Sequence, residues 1–270
     1  SNYKKMDMSK YDNLENLKPN PSDELMIYFE KGVLVLKVNR PKKKNSLTEI
    51  MLTQLMEVCD RALKNDNIKV IYFTSVGDVF SSGNDFNNFQ TKTFDQMIEK
   101  FEKFIDYLIK YPKVLIGGVN GMSIGVSFTM LALFDIVLAS DTAFFQVPFI
   151  QTHQTPEGCS SYLFPLLLGK GTAGHLLLNG GPLMAKEAKE LGFVSKLFEE
   201  GTFEADAMEY AIATANYSNN SLMNIKKMIN KNFSEKLIEV NKSECKALRA
   251  SWDNPQFKNI IKKFVKNPKF

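Results

Sequence analysis

From Leu25 onward apolar and polar positions alternate in two short runs, LMIYFE (25–30) and VLVLKVN (33–39), split at Lys31-Gly32. A period of two broken by a glycine predicts a β-hairpin. The period then lengthens: Leu47, Ile50, Met51, Leu55, Val58 and Ala62 recur at helical spacing and predict an amphipathic helix. IKVIYFTS (68–75) is β-branched and almost continuously apolar, as a strand buried on both faces should be. A long loop (76–91) leads to a helical stretch at 92–110. KVLIGGVNG (113–121) reads as the next strand, GVSFTMLALF (125–134) as a helix and DIVLAS (135–140) as another strand. This β–α–β–α–β alternation predicts a parallel sheet with right-handed crossovers. Beyond about residue 200 the pattern is helical to the end, in amphipathic helices whose apolar faces look exposed, with Leu237, Val240 and Leu248 on one face of a helix rich in Lys and Glu. Residues 1–24 are polar, carry two prolines and read as a tail or linker outside the core.

Composition narrows the picture. The 270 residues are 44% hydrophobic and 24% charged, which suits one large domain or one domain with an appendage. The net charge of +4 comes from scattered lysines, concentrated toward the C-terminus. Charge of this kind is ordinarily a solvated surface, and no basic face with interleaved aromatics marks a nucleic-acid site. An anionic small-molecule partner stays compatible with it. Cys59, Cys159 and Cys245 lie far apart and form neither a disulfide framework nor a zinc motif, so a reducing compartment is expected. His153 and His175, the only histidines, lack metal-ligand spacing. No apolar run reaches the roughly 18 residues of a membrane span, and there is no secretory signal pattern.

Candidate chemistry sits in three loops at strand ends, where open α/β sheets place ligands. FSSGNDF (80–86) has a glycine and two serines that let backbone N–H groups approach an anion; its bland reading is a surface turn. In VNGMSIGVSFTM (119–130) a strand enters an apolar helix through glycines. The first-turn N–H groups at Gly125, Val126 and Ser127 can donate to an oxyanion, or the segment is simply a tight turn. The third loop, QTPEGCSS (154–161), sets Glu157 between a proline and a glycine. Either Glu157 caps the helix that follows, or it is a base in an apolar wall, since Phe144, Phe145, Phe149, Tyr162 and Phe164 are near in sequence. Desolvation would make such a carboxylate a stronger base. Two donor loops with one acid suit an enolate formed while a proton moves.

Taken in order, NRPKKKNSL (39–47), FSSGNDF, VNGMSIGVSFTMLALFDIVLAS (119–140), TPEGCSSYLFP (155–165) and ANYSNNSLMNIKKMI (215–229) resemble the crotonase (enoyl-CoA hydratase/isomerase) superfamily, and within it the peroxisomal-type Δ3,Δ2-enoyl-CoA isomerases. The resemblance runs from about Leu25 to the C-terminus. It implies an α/β fold with a crotonase-like ββα spiral core over 25–200 and a helical C-terminal trimerisation region over 201–270. It implies an acyl-CoA substrate, no metal, and no cofactor beyond the coenzyme A of that substrate. The partner would be further copies of the chain, in a homotrimer or hexamer.

Carried over by position, the oxyanion-hole donors are the N–H groups of Asn84 and Val126. Ser81, Ser82, Gly83, Asn84, Asp85, Gly125 and Phe149 would line the acyl-CoA site, and Arg40 with Lys42 to Lys44 would pass near the CoA phosphates. Hydratases of the superfamily use two glutamates on water; Thr129 and Phe149 stand in those places here. Glu157 matches the single catalytic glutamate of the isomerases, which act in the oxidation of unsaturated fatty acids. A corepressor-type, catalytically weak acyl-CoA-binding module is the alternative, as in chromodomain Y-like proteins. There the acid is shortened to Asp and the glycine loop altered, so Glu157 with SSGND favours the enzyme. In the family an acyl-CoA-binding domain often precedes this one, and residues 1–24 would be what remains of the linker. The compartment implied is peroxisome or mitochondrion, although the closing Asn-Pro-Lys-Phe does not match a Ser-Lys-Leu-type tail.

Overall fold

The structure, a computed structural model, describes residues 9–85 and 93–266; residues 1–8, 86–92 and 267–270, and with them part of the expected tail and loop, lie outside it. Strands β1 (Leu25–Glu30) and β2 (Val33–Val38) pair antiparallel with Glu30 opposite Val33. The two residues between them both have positive φ, Lys31 at 45° and Gly32 at 87°. That turn twists with the strands and closes the hairpin tightly. Helix α1 (Glu49–Leu63) starts two residues later than its apolar spacing suggests, because the Thr48 side chain accepts from Met51 N at 3.2 Å. Leu47 is therefore released from the helix and bridges to Asn84.

From β3 (Val70–Ser75) the chain winds as a spiral. The expected loop after β3 contains a further short strand, β4 (Val79–Ser81), before α2 (Phe94–Lys110), which opens on a Thr93–Gln96 capping box. β5 (Val114–Val119) is likewise followed by a short strand, β6 (Met122–Ile124). The expected helix at 125–134 is a single turn, α3 (Val126–Thr129), continued by a 3₁₀ turn over Met130–Leu133. Then come β7 (Ile136–Ser140) and β8 (Phe144–Gln146). Each circuit thus adds one strand to each of two sheets. The larger has the order β1-β2-β3-β5-β7-β10 and the smaller β4-β6-β8-β9. Helix α4 (Ser160–Gly174), β9 (Leu183–Met184), α5 (Ala185–Glu190) and β10 (Lys196–Phe198) complete the core. The parallel pairing expected for strands 68–75, 113–121 and 135–140 is present in the larger sheet.

The last four helices are α6 (Phe203–Ala215), α7 (Asn219–Asn230), α8 (Ser234–Asp253) and α9 (Pro255–Lys266). α6 lays Phe203, Ala207, Ala211 and Ala215 on the outer face of the larger sheet, against Val33, Val35, Val70 and Tyr72. α7 is pinned by Lys226, whose buried ammonium donates to Asp135 Oδ2 and Lys113 O at 2.7 and 2.8 Å. On α8, Leu237 and Leu248 are buried and Val240 partly so, as their shared face suggests. Two expectations need correcting. Residues 9–24 are not outside the core: Tyr11 and Leu14 are 2% and 3% exposed and belong to the main apolar cluster. Averaged polarity hid two anchoring side chains. The C-terminal helices, expected to present apolar faces outward, bury those of α6 and α8 within the chain; on α7, Ile225, Met228 and Ile229 stay exposed.

Candidate active site

The two donor loops meet because β4 pairs with β6, Ser81 opposite Ser123. The turn after one strand is thereby set beside the turn after the other. Ser127 Oγ donates to Ser81 O and to Ile124 O, each at 2.9 Å, and so clasps both turns. Gly83, at φ 85°, lies so close that a Cβ there would stand 2.7 Å from Ile124 O and 3.7 Å from Val126 N. Only glycine allows that approach. Leu47 N donates to Gly83 O at 2.8 Å and Asp85 N to Leu47 O at 2.9 Å. The amide of Asn84, between them, consequently faces the opposite side. Val126 opens α3, so its N–H has no carbonyl one turn earlier to bond. Gly125, its N-cap at φ 60°, has nothing within 4 Å of the place a Cβ would occupy. The wall beside these amides is open.

Beneath that wall runs a buried ion pair. Arg40 Nη1 donates to Asp85 Oδ2 at 2.9 Å and Ser46 O at 2.8 Å, and Arg40 Nε stands 3.3 Å from Glu24. Arg40, expected near CoA phosphates, and Asp85, expected to line the acyl-CoA site, are paired with each other inside the protein. Both act as anchors of the loop. Ser81 is also internal: fully buried, with its hydroxyl accepting from Gly83 N at 3.1 Å. Lys42 is exposed and Lys44 half-buried, and the Lys44 carbonyl accepts from Ser82 N at 2.9 Å, so this basic turn borders the glycine loop.

Glu157 is 5% exposed. Its Oε1 accepts from Thr129 Oγ1 at 2.8 Å, whereas Oε2 is buried with no partner among the described residues. Gly158, at φ 65°, brings the turn onto Thr129; a Cβ there would lie 2.6 Å from Thr129 Oγ1. Burial pushes the Glu157 carboxyl up to about 8, the Thr129 hydroxyl opposes the rise and the charge of Glu244 adds to it. Glu157 is not the helix cap. That place is taken by Glu244 of α8, whose carboxylate accepts from Cys159 N at 2.7 Å and Ser161 N at 2.8 Å. A buried carboxyl with a high proton affinity and one free oxygen is equipped to take and return a proton. A cavity of about 820 Å³ lies elsewhere, between residues 11–15 and α1, lined mostly by charged side chains. Chemistry, not volume, locates the site.

Residues 28–270 match the enoyl-CoA hydratase/isomerase family. The chain belongs to that family. It is 38% identical over 254 residues to "Enoyl-CoA delta isomerase 2" of Rattus norvegicus, covering 92% of this chain and 65% of that protein. It is 35% identical over 257 residues to "Enoyl-CoA delta isomerase 3, peroxisomal" of Mus musculus, covering 92% and 80%. The chain therefore spans slightly less than two thirds of the rat relative. Among solved structures, an enoyl-CoA hydratase/isomerase from Pseudoalteromonas atlantica superposes with a TM-score of 0.83 at 31% identity, covering 90% of this chain and 97% of that one. The α/β spiral is thus a crotonase fold.

Within this enoyl-CoA hydratase/isomerase frame, the two positions where the resemblance places hydratase acids carry a hydroxyl and a ring. Thr129 is fully buried and bonded to Glu157; Phe149 is 4% exposed and part of the apolar core. Sequence reasoning missed two roles. Thr129 was read only as a missing acid, and Glu244 was not singled out. A signal for Glu244 existed: it shares the buried stripe of α8 with Leu237, Asn241, Cys245, Leu248 and Trp252, where an acid needs a partner.

Proposed function

We propose that the chain is a Δ3,Δ2-enoyl-CoA isomerase, converting 3-enoyl-CoA to 2-trans-enoyl-CoA in the oxidation of unsaturated fatty acids. The observation that carries this reading is Glu157: one buried acid, held through Oε1 by Thr129 and unpartnered at Oε2 among the described residues, with no second acid at 129 or 149. In a 3-enoyl-CoA the C2 protons are acidified by the thioester and the neighbouring double bond. Glu157 Oε2 takes one; the C–H electron pair becomes a C1–C2 double bond and the carbonyl pair moves onto the thioester oxygen, giving a dienolate conjugated with the 3,4 double bond. The N–H groups of Asn84 and Val126 receive that oxygen, each such donor being worth about 10²–10³ in rate. The proton then returns to C4, the 2,3 double bond forms, and Glu157 is a carboxylate again. A proton and a double bond move without net redox change, so the step needs nothing beyond the coenzyme A of the substrate.

Gly83, Gly125 and Ser82 border the acyl thioester in this reading, Phe149 backs the site from the core, and Lys42 and Lys44 lie where CoA phosphates would pass. Exposed Ile225, Met228 and Ile229 on α7 support self-association as a homotrimer or hexamer. The compartment proposed is the peroxisome or mitochondrion, supported by the peroxisomal mouse relative. The reading is tested by following conjugation of a 3-enoyl-CoA in the ultraviolet beside hydration of a 2-enoyl-CoA. Isomerisation is expected with little or no hydration, and E157Q should lower kcat by at least about 10²–10⁴ with acyl-CoA affinity little changed. Comparable hydration, or an active E157Q, would overturn it.

A further inference from the structure

The turn carrying Glu157 is an unusual piece of chain. Gly158 and Cys159 stand in the left-handed region one after the other, at φ 65° and 64°, and the second is not a glycine. A conformation of this kind persists only when its surroundings hold it. Within the turn, Ser160 Oγ donates to Glu157 O at 2.7 Å. Further anchors come from α8, 78 to 85 residues on. Glu244 receives the N–H groups of Cys159 and Ser161 with its two oxygens, and Cys159 Sγ lies 3.3 Å from Leu237 O. α8 is itself fixed: Asn241 Nδ2 donates to Glu102 O and Asp106 Oδ1 of α2 at 3.0 and 2.8 Å, and Trp252 Nε1 donates to Gln154 Oε1 at 2.9 Å. Glu244 thus reaches the turn from a rigid support.

We propose that Glu244 is a positioning residue of the isomerase site, which locks the strained turn that presents Glu157 and keeps a fixed negative charge beside that base. The inference rests on the reading of Glu157 as the base. Glu244 has two backbone donors and a helix N-terminus to hold its charge, whereas Glu157 has one hydroxyl. Burial also pushes Glu244 upward, but the Ser161 side chain and the N–H groups of Ser161 and Cys159 hold it back. The other titratable groups around the turn are Cys159 itself, Cys245 of α8 and Asp106 of α2. Burial pushes both thiols upward, so they stay neutral, and Asp106 accepts from Asn241. Glu244 therefore supplies the fixed charge felt by the base. By reciprocity, a neutral residue at 244 leaves Glu157 easier to ionise.

The test combines pH profiles of kcat/KM with kcat and KM for E157Q, E244Q and E244D. E244Q is expected to move the acid limb downward by roughly half a unit or more. Its kcat at the plateau should also fall, because the amide can accept one N–H but opposes the other, while KM changes little. E244D keeps the charge on a shorter arm, so its limb should stay with the wild type while kcat falls. A drop in melting temperature with an unmoved limb in E244Q, or the same downward shift in E244D, would overturn the charge role. Full kcat in E244D would overturn the positioning role, and this arm stands even if E244Q does not fold. An active E157Q would refute the base itself, an outcome distinct from either.

Discussion

The Thr129 hydroxyl stands 2.8 Å from Glu157 Oε1 and donates to it, while Oε2 has no partner among the described residues. Thr129 therefore orients the acid and favours its ionised form. T129V should remove both effects: kcat falls by about 10-fold or more and the acid limb of kcat/KM moves upward, opposite to the shift expected of E244Q. T129S keeps a hydroxyl and should recover most of the loss. A profile unmoved in T129V would mean that the bond has no bearing on the base.

The pH dependence has a definite sign. Glu157 must be ionised to accept a proton, and burial holds it up to about 8, so kcat/KM should rise with pH through that value. Stability should move the other way. Between 4.5, the ordinary value, and about 8 the folded chain keeps a proton that the unfolded chain has lost. Stability is therefore fully present below 4.5 and declines as pH rises through that window. E157Q should flatten the decline, gaining on the order of a few kcal/mol over the wild type at pH 9 and little at pH 5. Denaturant melts at the two values check it.

Gly158 tests how closely the turn must approach α3. Alanine there would meet Thr129 Oγ1 at 2.6 Å and sit at φ 65°. G158A should cost about 1–3 kcal/mol of stability and most of the activity. G125A is the informative comparison, because its Cβ meets nothing within 4 Å and only backbone strain opposes it. Equal stability losses in the two would remove steric contact as the explanation.

The Arg40–Asp85 pair fixes the loop that carries the Asn84 amide. Removing one partner leaves a buried charge, so R40M or D85N alone should cost about 3–5 kcal/mol, and the double variant less than the sum. Because Asn84 lies next to Asp85, kcat should fall in either single variant while KM changes modestly. Additive losses in a double-mutant cycle would show that the pair is not coupled.

The local elements were legible in the chain because each rests on periodicity that near neighbours can express. The 25–39 hairpin, the helix of Glu49 to Leu63 and the buried strand ending at Ser75 all follow from residues close in sequence. Short strands were not: β4 and β6 are three residues each, too brief to show a period, and they form by pairing with one another. Tyr11 and Leu14 were hidden for a similar reason, since composition averages over a segment whereas burial selects single side chains.

By itself the sequence determined the alternation that makes the sheet, the glycines that permit close turns, and, through its resemblance to a known family, the acid most suited to moving a proton. Only the tertiary structure decided what Glu157 and its neighbours do. It gave the helix cap to Glu244, left Glu157 Oε2 unpartnered, turned Thr129 from a missing acid into a donor, and withdrew Arg40 and Asp85 into the loop's foundation. The physical reason is that a charged group's role depends on which partners satisfy it once water is removed. For Glu157 the partner comes from position 129 and the neighbouring charge from position 244, brought together by packing alone.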